Sequence, residues 1–168
     1  HTMNEVLEQL NTNGNDINKH VCFKLSEEEY AVNIIRVQEV IRVQKITPVP
    51  QMPEFVLGVV NIRGSVVPVF DLRKKFGLPL KPFDDNTKIL VITIDNIFMS
   101  FIVDEILDNI KLGEGDIDPA PNVKMQISKE CVQGVGLQEQ RMIVILDLDK
   151  INDEINADIE RFRRNETE

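Results

Sequence analysis

Val56-Leu57-Gly58-Val59 and Val132-Gln133-Gly134-Val135 are the two stretches on which the reading of this chain turns. They match each other, and the match extends both ways. Downstream, Phe70-Asp71-Leu72-Arg73-Lys74 corresponds to Leu146-Asp147-Leu148-Asp149-Lys150. Upstream, Ile46-Thr47-Pro48-Val49-Pro50 corresponds to Ile117-Asp118-Pro119-Ala120-Pro121. Further upstream, Val21–Ile41 aligns with Leu90–Ile110, setting Val37, Glu39 and Ile41 against Ile106, Asp108 and Ile110. The blocks keep their order while the offset grows, as expected of an old tandem duplication with small insertions.

Each copy reads as strands. Val21, Phe23 and Leu25 alternate with Cys22 and Lys24, and Tyr30–Val37 gives a second strand after a polar turn. In the second copy, Asp95-Asn96 between Ile89–Ile94 and Ile97–Val103 predicts a tight hairpin. Val66–Phe70 and Met142–Leu146 are the later strands, and Pro68 points to an edge or a bulge because it has no N–H to give a ladder. Short helical turns are expected at Pro53-Glu54-Phe55, stopped by Gly58, at Ser128–Val132, and at Leu72–Phe76 before Gly77. Ile151, Ile155, Ile159 and Phe162 recur at helical spacing over Lys150–Arg163, with Asp149 as the expected N-cap.

The fold class is therefore all-β: two five-stranded barrels of the OB/SH3-like kind, short helical turns and a C-terminal helix. Residues 1–19 read as a mobile tail, with His1 and Thr2 ahead of Met3 as a tag remnant. The repeats fall near 20–85 and 86–150 of a body spanning 20–152, with 153–168 as the terminal helical segment. Each repeat alone is close to the size at which a core is marginal, so the halves are expected to pack together and share strands.

Composition limits the function. There is no Trp and one Tyr, so the core is aliphatic, and the net charge of −9 repels phosphate backbones and anionic membranes. A basic cluster, Arg161, Arg163 and Arg164, lies near the C-terminus. No apolar run is long enough to cross a bilayer, and Cys22 and Cys131 form no disulfide framework, which fits a cytoplasmic setting. His20 and Cys22 share a strand face but lack the further ligands a zinc site needs, and read as an exposed His and a half-buried Cys. No Gly-rich loop is followed by the Lys a phosphate cradle needs, no calcium loop is complete, and no nucleophile–base–orienter set can be assembled. The expectation is a protein without catalytic groups, cofactor or metal, acting by binding.

Three features suit binding, each with a plainer reading beside it: the Asn61-Ile62-Arg63-Gly64 turn, equally a solvated turn; the Val37–Val43 strand, whose apolar alternation could serve the core, a groove or both; and the Thr47-Pro48-Val49-Pro50 loop with its repeat at Asp118–Pro121, which could simply connect strands. Taken with Tyr30-Ala31-Val32, Val37-Gln38-Glu39-Val40, Pro53–Gly64, Val66–Gly77 and Gly134-Val135-Gly136, they resemble the CheW family over about residues 20–152. The resemblance implies a pair of five-stranded barrels. It also implies an adaptor that joins the cytoplasmic tip of methyl-accepting chemoreceptors to the regulatory domain of the histidine kinase CheA. On this chain the receptor-binding groove would fall on Val37, Glu39, Val40, Gly58, Asn61, Arg63 and Ile106. Kinase contacts would fall on Ile46, Pro48, Val49, Asp118 and Val123. Three positions depart from the family pattern: Asn109 replaces an apolar residue at the groove, Asp118 a frequent basic one, and Ser100 a common Gly.

Two rivals are weighed. A CheW-like piece of CheV or of CheA carries the same fold, against which the free tail and the charged terminal helix favour a stand-alone adaptor. A nucleic-acid-binding small barrel would need stacking aromatics and a basic groove, and neither is visible.

Overall fold

The structure is a computed structural model and describes residues 17–167. The first half forms β1 (Lys19–Leu25), β2 (Glu28–Asn33), β3 (Val37–Arg42), β4 (Val56–Ile62), β5 (Ser65–Phe70) and α1 (Leu72–Phe76). The second half forms β6 (Lys88–Ile94), β7 (Ile97–Val103), β8 (Glu105–Lys111), β9 (Ile117–Asp118), β10 (Val132–Gln138), β11 (Arg141–Leu146) and α2 (Leu148–Thr167).

These strands make two sheets, in the orders β8-β1-β2-β11-β10-β9 and β3-β6-β7-β5-β4. Each sheet takes one hairpin, β1-β2 or β6-β7, from one half of the chain and its remaining strands from the other half. The duplication is visible in the register. Val56 pairs with Phe70 and a bulge precedes Gly58–Val69; Val132 pairs with Leu146 and a bulge precedes Gly134–Ile145. The parallel contacts repeat as well, Val69 with Ser100 and Ile145 with Ala31.

The edges of each sheet are drawn together. In the second sheet, Thr47 exchanges backbone hydrogen bonds with Val59 at 2.9 and 2.8 Å, and the Gln44 amide donates to the Asn61 carbonyl at 3.1 Å. These join the β3 edge to the β4 edge and curl the sheet on itself. In the first sheet the chain leaving edge strand β8 runs straight into edge strand β9, which pairs with β10 through Asp118–Val135. That two-residue strand is why this barrel counts six strands where five were expected; its counterpart in the other barrel is the Thr47–Val59 bridge.

Strand alternation then sorts the apolar residues into three cores. Val60, Ile62, Val67, Val69, Ile89, Val91 and Ile102 fill the second barrel, and Cys22, Ala31, Ile110, Leu112, Ile143 and Ile145 fill the first. The alternate residues, among them Phe23, Tyr30, Leu90, Phe101 and Val144, face the other barrel and form the largest core between the two sheets. Both faces of the central strands are therefore buried.

Several local expectations change. Lys19 already belongs to β1, so the segment taken as tail ends earlier, and residues 1–16 lie outside the described residues. The expected Tyr30–Val37 strand breaks into β2, a 3-10 turn at Ile34–Arg36 and β3, because the Asn33 side chain accepts the Ile35 N–H at 3.0 Å and caps the turn. Pro68 is not on an edge: β5 lies between β4 and β7, and pairing with β7 is recorded only from Val69, past the missing N–H. Ser100, fully buried, donates its hydroxyl to the Pro68 carbonyl at 2.7 Å. Gly58 ends no helix. It sits inside β4 at φ 144°, and a Cβ there would lie 2.1 Å from the Thr47 carbonyl oxygen. Gly134 meets Asp118 in the same way, at 2.6 Å, which is why the two glycines match in the sequence.

The terminal helix starts at Leu148, before the expected boundary. Asp147, not Asp149, holds its first turn: its side chain accepts the Lys150 N–H at 3.1 Å and its carbonyl the Ile151 N–H at 3.0 Å. Its repeat partner Asp71 does the same for α1, accepting from Arg73 and Lys74. Asp149 instead binds Arg36 of the other half, at 2.7 and 3.1 Å.

A buried ionic knot joins the halves near α1. The Arg73 guanidinium gives two 3.0 Å bonds to Asp71, one of 2.7 Å to Asp104 and one of 2.8 Å to the Lys81 carbonyl. Asp104 also accepts the Ser26 N–H at 2.6 Å. Burial works against the Arg73 charge, but the Asp71 and Asp104 carboxylates outweigh it and raise its pKa.

Candidate functional site

The β4–β5 hairpin turns at Arg63 and Gly64, both at positive φ, 49° and 87°. Two such residues in a two-residue loop suit the right-handed twist of the flanking strands. The Asn61 side chain accepts the Gly64 N–H at 2.9 Å and fixes the turn. Arg63 thereby stands out from the barrel, its side chain 69% exposed, and pairs with the Glu39 carboxylate, which is only 10% exposed. A buried acid thus aims an exposed guanidinium whose remaining donors face solvent.

The residues expected to line one groove divide by burial. Glu39, Asn61 and Arg63 come together at the mouth of the second barrel. Val37 and Val40 are buried in the core between the sheets, and Gly58 is buried under Thr47. Ile106 lies on the edge strand of the other sheet and packs against that same central core. Val66, 69% exposed and paired across the hairpin with Asn61, stands beside this turn and is missed by the sequence reading. The alternation of Val66-Val67-Pro68-Val69 could have flagged it, since Val67 and Val69 point inward.

The first barrel carries a related arrangement. Arg141, on the strand after the β10–β11 hairpin, grips Asp108, the repeat partner of Glu39, with two bonds of 2.8 Å, and also Glu29 at 2.8 Å. These bonds raise the Arg141 pKa, and the same guanidinium holds the Asp108 carboxyl below the usual carboxylate range. Arg141 is held by two acids, whereas Arg63 has one. The Arg63 side therefore keeps more of its donors free for a partner.

The kinase-facing candidates also split. Ile46 packs against the core of the second barrel, Pro48 is exposed and Val49 half-buried at its edge. Asp118 and Val123 belong to the first barrel. Asp118 is exposed and turns the chain by accepting the Ala120 N–H at 3.0 Å. Beside it, Pro119, Ala120, Pro121, Met125, Lys129 and Val132 line a cleft of about 170 Å³. The two Pro loops thus mark two separate faces, one on each barrel.

His20 and Cys22 are both buried rather than exposed and half-buried. Burial lowers the His20 pKa despite a 2.7 Å contact from its Nδ1 to the Asn18 carbonyl. Burial, with the charges of Asp108 and Glu29, pushes the Cys22 thiol up to about 12. Among the described residues no group of three metal-ligating side chains comes together, and no helix is long and apolar enough to cross a membrane.

Comparison with known proteins gives this geometry its family. The model of the CheW-like domain matches residues 19–156. The chain belongs to the CheW family. It is 33% identical over 131 residues to chemotaxis protein CheW of Klebsiella aerogenes, covering 78% of this chain and 79% of that one. It is 34% identical over 135 residues to chemotaxis protein CheW of Bacillus subtilis, covering 80% and 86%. The crystal structure of the scaffolding protein TtCheW from Thermoanaerobacter tengcongensis superimposes with a TM-score of 0.74 at 34% identity, covering 80% and 87%. A scaffold of chemotaxis is thus the role that membership in the CheW family gives this chain.

Proposed function

We propose that this CheW-family scaffold couples the cytoplasmic tip of chemoreceptors to the regulatory domain of the kinase CheA, without catalysis of its own and in the cytoplasm. The Arg63–Glu39 pair carries the reading. A hairpin projects a guanidinium with unused donors, and a nearly buried carboxylate sets its direction. Such a group fixes the orientation of an incoming helical partner that carries acids, while Val66 supplies apolar contact beside it. The exposed Pro48 and the Pro119–Pro121 cleft, one on each barrel, offer two stiff faces for the kinase. The net charge of −9 disfavours the rival reading as a nucleic-acid binder.

Calorimetry with the purified CheA regulatory domain tests the kinase arm. Binding in the micromolar range is expected, worth about 8 kcal/mol. Arg63→Glu tests the receptor arm: receptor-dependent kinase activation should fall while the melting curve stays cooperative. Full activation by that variant would remove Arg63 from the receptor site, and no heat at high micromolar concentration would remove the kinase arm.

A further inference from the structure

Beyond residue 156 the chain leaves the region matched by the family model, yet α2 continues to Thr167. In the first half of the chain the corresponding helix, α1, stops at Phe76, so the extension completes neither barrel. Its early turns are anchored. Ile151 and Ile155 are buried in the central core, and the Lys75 ammonium of α1 binds Glu154 at 3.1 Å and Asp158 at 2.6 Å. Lys75 also lies over the rings of Phe55 and Phe76, at 5.4 and 5.3 Å from their centres.

Past Ile159, residues 160–165 contribute no buried side chain, and their charged groups are Glu160 and the arginines Arg161, Arg163 and Arg164. Arg161 is 64% exposed and shares Asp158, at 3.2 Å, with Lys75. Arg163 reaches the thioether of Met52, with its NH2 3.8 Å from Sδ. Sulfur is a weak acceptor, and among the described residues Arg163 meets no carboxylate. Met52 belongs to the loop that follows Pro48-Val49-Pro50. The helix end therefore lies against the kinase-facing loop of the second barrel through Arg163, with Arg161 two residues earlier on the helix, in a chain of net charge −9.

We propose that the last turns of α2, through Arg161 and Arg163, extend the surface around Thr47–Pro53 and receive a carboxylate-bearing face of the kinase domain that docks there. This rests on the kinase arm of the function proposed above. Arginines at a helix C-terminus also favour the helix dipole, so the test must separate docking from helix stability.

The test measures binding of the CheA regulatory domain to the full chain at about 50 and 200 mM salt, where screening differs strongly. The Arg161→Gln/Arg163→Gln variant should bind about fivefold to tenfold more weakly at the lower salt, with the gap narrowing at the higher one. Arg161→Lys/Arg163→Lys, which keeps the charge, should retain most of the affinity, and both variants should show the helix signal of the parent. Equal affinity of parent and glutamine variant at both salts would overturn the docking role and leave the function standing. A loss equal at both salts, or shared by the lysine variant, would also overturn it, since charge would not be the cause. Absence of binding by the parent chain would bring down the kinase arm and this inference with it.

Discussion

Replacing Arg73 by Met asks how much the buried ionic knot contributes. The guanidinium side chain is 3% exposed, and the two carboxylates it binds are each 2% exposed. Methionine keeps much of the aliphatic stem, so the change removes mainly the charge and its hydrogen bonds to Asp71, Asp104 and the Lys81 carbonyl. Removing one partner of a buried pair typically costs about 3–5 kcal/mol, because the remaining charge keeps its desolvation penalty without a counter-charge. Here two carboxylates are stranded, which places the expectation at the upper end. A domain holds roughly 5–15 kcal/mol in all, so urea unfolding followed by circular dichroism should show a large fall in midpoint at unchanged slope. Adding Asp71→Asn and Asp104→Asn to Arg73→Met should restore part of the loss: neutral amides are cheaper to bury, and the side-chain carbonyl that Asp71→Asn retains would still cap α1. A loss below about 1 kcal/mol for Arg73→Met, or a triple variant no more stable than the single one, would refute the stranded-charge argument.

Gly58→Ala would force a Cβ to 2.1 Å from the Thr47 carbonyl at a φ of 144°, and should lower the melting temperature by more than about 5 °C; an unchanged melt would show that the Thr47 loop yields freely. Burial holds the His20 pKa below its ordinary value, so as the pH falls through about 6.5 the unfolded chain takes the proton first. Stability should be full above that pH and decline below it, and His20→Gln should flatten the decline; identical pH profiles would contradict this. With Cys22 pushed up to about 12 and Cys131, which donates to Glu154 at 2.9 Å, up to about 11, neither thiol of the native protein should react readily with a disulfide reagent at pH 8, whereas both should react in denaturant. Prompt stoichiometric labelling of the native state would count against their burial.

The repeat made the architecture legible, because the bulge at Gly58 and the bulge at Gly134 leave the same mark in the sequence at matching places. Strand positions followed from period-two alternation, and the Asp95-Asn96 hairpin from its turn residues. What misled was local chemistry that depends on distant neighbours. Asp149 looks like a helix cap until Arg36, far away in sequence, claims it. Pro68 looks like an edge residue because the sequence does not show that pairing with β7 starts one residue later. The apolar residues of Val37–Val43 suit a core or a groove alike, and only the packing of one barrel on the other shows that Val37 and Val40 are interior. Arg63 and Glu39 each stand out in the sequence, but their meeting is invisible there, since it depends on how the β3 and β4 edges close.

The crossed strands bear on how such a chain could have arisen. A polypeptide carrying one repeat would own a hairpin and three further strands that belong in different barrels, so it could complete neither alone. Two such chains meeting could complete both, each lending its hairpin to the other. Fusing the copies through the connector at residues 77–87 turns that encounter into an intramolecular one and frees it from dependence on concentration. The same geometry means that cleavage within the connector should leave two fragments clasped together, each holding part of its neighbour's fold.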